Sequence, residues 1–262
     1  MKKICIYGKG GIGKSTTVSN IAVSYSIMGL KVAVIGCDPK ADSTRNIMGK
    51  KIPTLLKNHD NQSFINYGYN GILCIEAGGP PPGTGCAGRG IVVALEKIRE
   101  DNLLEGIDVV IYDVIGDVVC GGFSSPLREN IADEVYIVTT SDFMSLYAAN
   151  NICRGIQKYA QTGDIRLGGI IVNGRSSVMN IDMVGEIAGR IGTKIIGIMP
   201  MSKYITLAEM NRKTVIELYP NEGISQDIKS LAKSIYDNDD RCIPVPLLDE
   251  ELEKICQSYL FI

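Results

Sequence analysis

Two cysteines and a phosphate-binding pattern are the parts of this sequence that could carry out chemistry together. Cys86 lies in a glycine-rich stretch over residues 83–90, and Cys120 lies in a second one that follows Asp113. Thiolates bind soft metals, and iron–sulfur clusters usually take four of them. One chain offers two well-placed cysteines, so two symmetric chains would supply four. The residues alone leave two interpretations open: a cluster shared across a dimer axis, or two structural thiols in tight turns.

The phosphate-binding pattern is GKGGIGKS over residues 8–15, which fits G-x-x-x-x-G-K-[ST] between a predicted strand and a predicted helix. Its glycines let backbone N–H groups turn towards phosphate oxygens, and the helix adds its positive N-terminal end. We expect Lys14 to reach the β- and γ-phosphates and Ser15 to bind Mg²⁺. The predicted nucleotide contacts in this loop are Gly8, Lys9, Gly10, Gly11, Ile12, Gly13, Lys14, Ser15 and Thr16.

Aspartates follow two of the predicted strands, where parallel strands present side chains to a ligand crevice. Asp113 is the candidate for holding Mg²⁺ through water, and Asp38 could orient the attacking water. Asp42 and Asp117 lie in the adjacent segments. For Asp38 and Asp42, helix capping is the alternative interpretation. The candidate catalytic residues are Lys9, Lys14, Asp38 and Asp117.

Strand-like and helix-like runs alternate along the whole chain, which predicts βαβ units and a parallel sheet. Strands are expected over 3–7, 32–36, 71–75, 109–112, 135–139, 169–172 and 195–198. Helices are expected over 14–28, 90–100, 143–159, 182–191 and 225–236, with an acidic helix from residue 249. Residues 57–69 are predicted to form a polar surface excursion. We therefore expect one α/β domain over 1–262, a P-loop NTPase with a mainly parallel sheet flanked by helices.

Composition excludes several classes of function. The net charge of -2 does not indicate the excess of basic residues that binding to nucleic acid or anionic membranes would favour. No apolar run reaches the roughly 18 residues of a transmembrane helix, and the first residues do not fit a signal peptide, so a cytoplasmic location is expected. The single histidine, His59, makes a serine-triad hydrolase improbable. The lack of a C-x-x-C pair argues against zinc ribbons and thioredoxin chemistry. Cys5 and Cys74 lie in apolar strand-like runs and Cys153 and Cys256 in helical patterns, so these four are predicted to be packing residues.

The motifs together resemble the nitrogenase iron protein (dinitrogenase reductase) family over nearly the whole chain. The resemblance rests on YGKGGIGKSTT (7–17), GCDPKADSTR (36–45), GGPPPGTGCAGRG (78–90), YDVIGDVVCGGF (112–123), PLREN (126–130) and YAANN (147–151). It implies a homodimer that binds MgATP and bridges one [4Fe-4S] cluster, with Cys86 and Cys120 at the ligand positions. Lys9 marks a deviant Walker A form, in which this lysine crosses to the partner's nucleotide.

The resemblance also assigns roles to further segments. Residues 113–120 match the switch that couples nucleotide to cluster, and residues 38–43 match the switch that leads to the docking surface. Asn173 matches an adenine contact and Glu209 a later nucleotide contact. Arg89 matches an arginine that is ADP-ribosylated in some members. Arg128 and Glu129 match positions near the docked partner.

The function implied is that of an ATP-dependent donor, which passes single electrons to a larger catalytic component after reduction by a low-potential donor such as ferredoxin or flavodoxin. Nitrogen fixation is one destination. Met201 stands where the family usually has arginine, a departure that leaves the identity of the partner open. A shorter 48–69 region favours a nitrogenase-like relative, for example a tetrapyrrole-reducing system. The alternatives are an iron–sulfur carrier and a partitioning-type ATPase that assembles on DNA or membrane.

Overall fold

One sheet organises the part of the chain that the computed structural model describes, namely residues 1–58, 63–79, 87–116, 127, 131–174 and 179–259. Within these residues the sheet has eight strands in the order β3-β4-β2-β5-β1-β6-β7-β8. Every neighbouring pair is parallel except β3 and β4, which are antiparallel. The strands are β1 (Lys2–Tyr7), β2 (Val32–Gly36), β3 (Asn66–Tyr67), β4 (Leu73–Glu76), β5 (Val109–Asp113), β6 (Glu134–Thr139), β7 (Arg166–Asn173) and β8 (Ile195–Met199).

Helices connect the parallel strands, as crossover connections require. In the described residues they are α1 (Lys14–Ile27), α2 (Arg45–Met48), α3 (Leu55–Asn58), α4 (Ala87–Glu100), α5 (Phe143–Tyr159), α6 (Ile181–Ile191), α7 (Lys203–Met210), α8 (Val215–Leu218), α9 (Gly223–Tyr236) and α10 (Asp249–Ser258). A 3-10 turn spans Tyr69–Gly71. In the described part of the chain, no helix is both long enough and apolar enough to cross a bilayer.

The helices cover both faces of the sheet and create two cores. Alternate residues of each strand point to opposite faces, so Cys5 and Tyr7 lie in one core while Ile4 and Ile6 lie in the other. The first core also contains buried side chains of α4, α5, α6 and α10. The second contains those of α1, α7, α8 and α9. Burial on both faces explains why the strands are nearly continuous apolar runs in the sequence.

The predicted α/β architecture is confirmed, and all seven predicted strands and the predicted helices are present with ends shifted by a few residues. Two expectations were incomplete. The segment 57–69 is not only a polar excursion, because Phe64 is fully buried in the first core and β3 adds an antiparallel edge strand. Helices α2, α3, α7 and α8 were not predicted. Three of them have only four residues, and the exposed residues of α7 include Leu207 and Met210, which blur its amphipathic pattern.

The topology decides where the functional segments meet. Because β1, β2, β4, β5 and β7 are parallel, their C-terminal ends lie along the same edge of the sheet. The phosphate-binding pattern, Asp38 and residues 78–79 follow these ends, and Asp113 and Asn173 are the last residues of β5 and β7. This edge is the position where open α/β sheets bind ligands.

Candidate functional site

The phosphate-binding pattern forms a loop between β1 and α1. Gly11 and Gly13 have φ values of 76° and 92°, which lie in the left-handed region that glycine adopts without strain. Gly13 directly precedes α1, so the loop and the helix N-terminus point backbone N–H groups into the same space. The loop lines a cleft of about 410 Å³ together with Asp38 and Asp42. The cleft can hold an anion such as a nucleotide polyphosphate.

A buried charge pair lies beneath this loop. Lys14 Nζ donates a hydrogen bond to Oδ1 of Asp113, the last residue of β5. Lys14 is 7% exposed and Asp113 is completely buried. The other oxygen, Asp113 Oδ2, is also buried and has no hydrogen-bond partner among the described residues. A buried carboxylate with an unused oxygen beside an anion loop fits the water shell of a bound Mg²⁺, so the donor set suits a metal–nucleotide complex.

The segment after β2 forms a tight turn at the other side of the cleft. Asp38 Oδ1 accepts a hydrogen bond of 2.9 Å from the Lys40 N–H, and Asp38 O accepts one of 2.9 Å from the Ala41 N–H. Ala41 has a φ of 50°, which is unusual for a residue with a Cβ. Helix α2 begins at Arg45, after Thr44. The capping alternative for Asp38 and Asp42 is therefore wrong, because neither side chain caps α2.

A second cleft of about 250 Å³ continues from the loop towards β7 and α7. Asn173 Nδ2 donates a hydrogen bond of 2.7 Å to the Ile12 carbonyl, which ties the end of β7 to the phosphate loop. Thr16 Oγ1 donates to Glu209 Oε1 across the cleft. The structure thus brings Asn173 and Glu209 to the loop, and their contacts with a nucleotide stay predictions. Met201 also lines this cleft.

Lys9 differs from the other loop residues. Its side chain is exposed at the rim of the cleft, whereas Lys14 points inward and is buried. Among the described residues, no hydrogen bond or ion pair of the Lys9 ammonium is formed within this chain. An exposed ammonium on a glycine-rich loop is available to a group outside the chain.

Glu76 is a site residue that the sequence analysis missed. It is fully buried at the C-terminal end of β4, and its Oε1 accepts hydrogen bonds of 2.7 Å from both the N–H and the hydroxyl of Thr44. Burial raises the pKa of Glu76 to about 7, with smaller contributions in the same direction from Asp113 and Asp42, while the Thr44 hydrogen bonds lower it. A glutamate that ends an otherwise apolar strand was the available signal.

Several predicted residues lie outside the described part of the chain: Cys86, Asp117, Cys120, Arg128 and Glu129. Arg89 lies in the first turn of α4 and is exposed. Five of the six described cysteines are buried, and burial raises the pKa of all six thiols. The prediction that Cys5, Cys74, Cys153 and Cys256 are packing residues is confirmed by their burial. The described residues contain no cluster of three or more potential metal ligands.

Solved structures with the same fold include the MinD cell division protein of Aquifex aeolicus, at 20% identity and a TM-score of 0.66 over 92% of this chain and 99% of that chain. The Pyrococcus furiosus cell division ATPase MinD is 17% identical, with a TM-score of 0.71 over 90% and 98% of the two chains. At these identities the likeness establishes the fold alone.

The family of 4Fe-4S iron sulfur cluster binding proteins, NifH/frxC family, matches residues 2–261. The chain belongs to this family. The nitrogenase iron protein of Methanococcus voltae is 47% identical over 98% of this chain and 96% of its own length. Nitrogenase iron protein 2 of Methanobacterium ivanovii is 49% identical over 98% and 99% of the two chains. Membership of the NifH/frxC family confirms the predicted resemblance, including [4Fe-4S] binding, and implies a homodimer with a larger catalytic partner.

The close approach of two backbone segments in the site gives a first prediction. A Cβ at Gly116 would lie 2.4 Å from the Gly8 carbonyl oxygen and 3.0 Å from the Lys9 nitrogen. Both are backbone atoms of the phosphate loop, which cannot move aside without losing its shape. We expect Gly116→Ala to weaken MgADP binding about tenfold or more and to destabilise the fold by about 1–3 kcal/mol, measured by calorimetric titration and urea unfolding.

The control for this substitution is Gly189→Ala, in an exposed position of α6 where an added Cβ would contact nothing within 4 Å. This variant should bind MgADP like the wild type and gain slightly in stability through the higher helix propensity of alanine. Wild-type affinity and stability in Gly116→Ala would show that the two segments do not constrain each other.

The raised pKa of Glu76 gives a second prediction. Between pH 4.5 and about 7 the folded state keeps the proton of Glu76 and the unfolded state has lost it, so stability must fall as the pH rises through this window. Glu76→Gln removes this contribution. We expect the unfolding free energy of the wild type, relative to that of the variant, to fall by about 3 kcal/mol as the pH rises from 4.5 to above 7.

Urea unfolding of both proteins at half-unit steps of pH measures this difference. Aspartate and glutamate residues that do not interact with Glu76 contribute equally to both proteins and cancel in the subtraction. Curves for wild type and Glu76→Gln that run parallel from pH 5 to 8 would contradict a raised pKa at this carboxyl.

Proposed function

We propose that this protein is an ATP-dependent electron donor of the nitrogenase reductase type, which passes single electrons to a larger catalytic component. The observation that carries the proposal is the buried Lys14–Asp113 pair. It connects the phosphate loop to the residue from which the chain runs seven positions to Cys120. A change in the contacts of Lys14 therefore alters the environment of Asp113, where the segment that ends in the proposed cluster ligand Cys120 begins.

The proposed nucleotide chemistry follows from the positions of the side chains. Lys14 exchanges its bond with Asp113 for the β- and γ-phosphate oxygens, and the N–H groups of residues 10–16 surround the phosphates. Ser15 and the water-bridged carboxylate of Asp113 hold Mg²⁺. Asp38, at the far side of the same cleft, orients the attacking water with Asp117. Asn173 and Glu209 line the continuation of the cleft and contact the nucleoside.

Cys86 and Cys120 from each of two copies are the proposed ligands of one [4Fe-4S] cluster. Support comes from the donor set of the chain, since the six other cysteines have thiol pKa values raised by burial and five of them are buried in the cores. A thiol with a raised pKa is a poor ligand because the thiolate is the form that binds metal. When bound, the cluster supplies the single electron that the partner receives.

Lys9 is the residue that supports the participation of the dimer in nucleotide binding. Its exposed ammonium at the rim of the cleft supports a contact with a nucleotide held by a second copy. A nucleotide contacted by both copies favours one arrangement of the dimer over another, which is the differential interaction that coupling requires. Lys9 thus joins Lys14, Asp38 and Asp117 as a catalytic residue in the proposal.

A nitrogenase-type component is the proposed electron acceptor, and a ferredoxin or flavodoxin in the cytoplasm is the proposed donor. The names of the relatives support this acceptor, because chains that match over 95–99% of their own length are described as nitrogenase iron proteins. A tetrapyrrole-reducing partner is the alternative, and Met201 in the second cleft is the feature that motivates it. Transfer of electrons to each purified partner, with and without ATP, separates these destinations and also separates a donor from an iron–sulfur carrier.

The ligand assignment gives a third prediction. Anaerobically purified protein should contain about four irons per dimer and be brown, and Cys86→Ala or Cys120→Ala should lose both iron and colour. Iron analysis and the visible spectrum measure this. The matched control is Cys153→Ala in α5, which removes a fully buried thiol and should keep the iron. A colourless, iron-free dimer after anaerobic reconstitution of the wild type would refute the proposal.

The coupling of nucleotide and cluster gives a fourth prediction. MgATP should accelerate the removal of iron by a chelator, and Lys14→Ala should abolish this acceleration while the iron content stays intact. The reason is that Lys14 joins the phosphates to Asp113. The control is Lys31→Ala, an exposed lysine next to β2 outside the cleft, which should respond to MgATP like the wild type. An unchanged response in Lys14→Ala would refute coupling through this lysine.

A further inference from the structure

A second connection between the nucleotide cleft and the cysteine motifs runs through Glu76. Its Oε1 holds both the N–H and the hydroxyl of Thr44 at 2.7 Å, and all of these groups are buried. Thr44 directly follows residues 38–43, the segment that lines the cleft opposite the phosphate loop. Glu76 therefore holds the end of that segment at a fixed place on the sheet.

The position of Glu76 in the sheet makes the contact rigid. Glu76 lies opposite Gly36 in the register of β4 with β2, and the Ala77 N–H donates a hydrogen bond of 2.9 Å to the Gly36 carbonyl. The carboxyl lies over Gly36 so closely that a Cβ on that glycine would be 2.0 Å from Glu76 Oε2 and 2.8 Å from Ser43 Cβ. Only glycine at position 36 leaves room for the carboxyl to reach Thr44.

The other oxygen of the carboxyl is packed over Gly36 without a hydrogen bond to a described residue. Glu76 Oε2 and Ser43 Oγ are both buried, and neither has a hydrogen-bond partner among the described residues. Unsatisfied buried groups cost free energy, so the arrangement is held against a penalty. This suits a segment that has a second arrangement, because the penalty narrows the free-energy difference between the two arrangements.

Glu76 also stands at the start of the path to a cysteine. It is the last residue of β4, and Cys86 lies ten positions further along the chain. The nucleotide-lining segment is thus joined to the strand that leads to Cys86, just as Lys14 is joined to the strand that leads to Cys120.

We propose that Glu76 is a positioning residue, which couples the nucleotide-dependent arrangement of residues 38–43 to the chain segment that leads to Cys86 by holding Thr44 to the end of β4. This inference rests on the proposed function. It predicts that the acceptor oxygen of residue 76, rather than its charge, is what coupling requires. Glu76→Gln keeps an acceptor for Thr44, and Glu76→Ala does not.

The experiment measures iron removal by a chelator with no nucleotide, with MgADP and with MgATP, on the intact dimer. In Glu76→Ala we expect the acceleration by MgATP to fall about tenfold, and in Glu76→Gln to stay within about twofold of the wild type. Calorimetric titration of MgADP should give affinities within about threefold in both variants, because Glu76 is not among the residues that line the phosphate cleft.

A second pair of variants tests the same contact from the other side. Thr44→Val removes only the hydroxyl that donates to Glu76. On a logarithmic scale it should lower the acceleration by MgATP about half as much as Glu76→Ala does. Thr44→Ser keeps the hydroxyl and should behave as the wild type. Glu134→Ala is the control for loss of a buried carboxyl, since Glu134 lies at the opposite edge of the sheet with Lys2 and Arg241. It should lose stability without losing the response to MgATP.

The possible results are distinct. A wild-type response in folded Glu76→Ala, or equal loss in Glu134→Ala, overturns the role of Glu76 and leaves the proposed function standing. If Glu76→Ala does not fold, Thr44→Val against Thr44→Ser decides in the same way. If the wild type itself shows no acceleration by MgATP, the proposed function fails, and the role of Glu76 falls with it.

Discussion

The buried ion pair between Lys14 and Asp113 is the interaction on which the site depends. Both groups are removed from water, so each is tolerable only while the other is near, and removing one partner of such a pair costs about 3–5 kcal/mol. The pair exists because β1 and β5 are neighbours in the sheet, with Ile6 opposite Asp113. Strand order thereby sets the distance between the phosphate loop and the carboxylate, and a phosphate that competes for Lys14 must disturb the end of β5.

Basic and acidic side chains both line the phosphate cleft. The charged lining residues are Lys9, Lys14, Lys40, Arg45, Asp38, Asp42 and Glu209. The basic residues beside a glycine-rich loop favour a polyanion such as a nucleotide polyphosphate. The buried Asp113 Oδ2, which has no hydrogen-bond partner among the described residues, favours a divalent cation bound with that anion. The electrostatics of the cleft thus favour binding of the metal and nucleotide together.

Two strands carry the influence of the nucleotide away from the cleft in the proposed mechanism. The end of β5 is tied to the phosphate loop through Lys14, and the end of β4 is tied to the opposite segment through Thr44. Because β2 pairs with both β4 and β5, the two routes share one rigid strand between them. Movement of the end of β4 or of β5 relative to β2 therefore also changes its position relative to the end of the other strand.

Much of this protein was determined by local sequence patterns. The GKGGIGKS pattern predicts the conformation of the phosphate loop, because glycines at 11 and 13 adopt positive φ without strain. The alternation of apolar strand-like runs with helical patterns predicts a parallel sheet that is covered on both faces. Contacts between distant residues were decided by the tertiary structure alone. Glu76 and Thr44 are 32 positions apart, and no periodicity or motif links them. They meet because β2 and β4 are paired, Gly36 leaves space, and a buried carboxyl must find hydrogen-bond donors within reach.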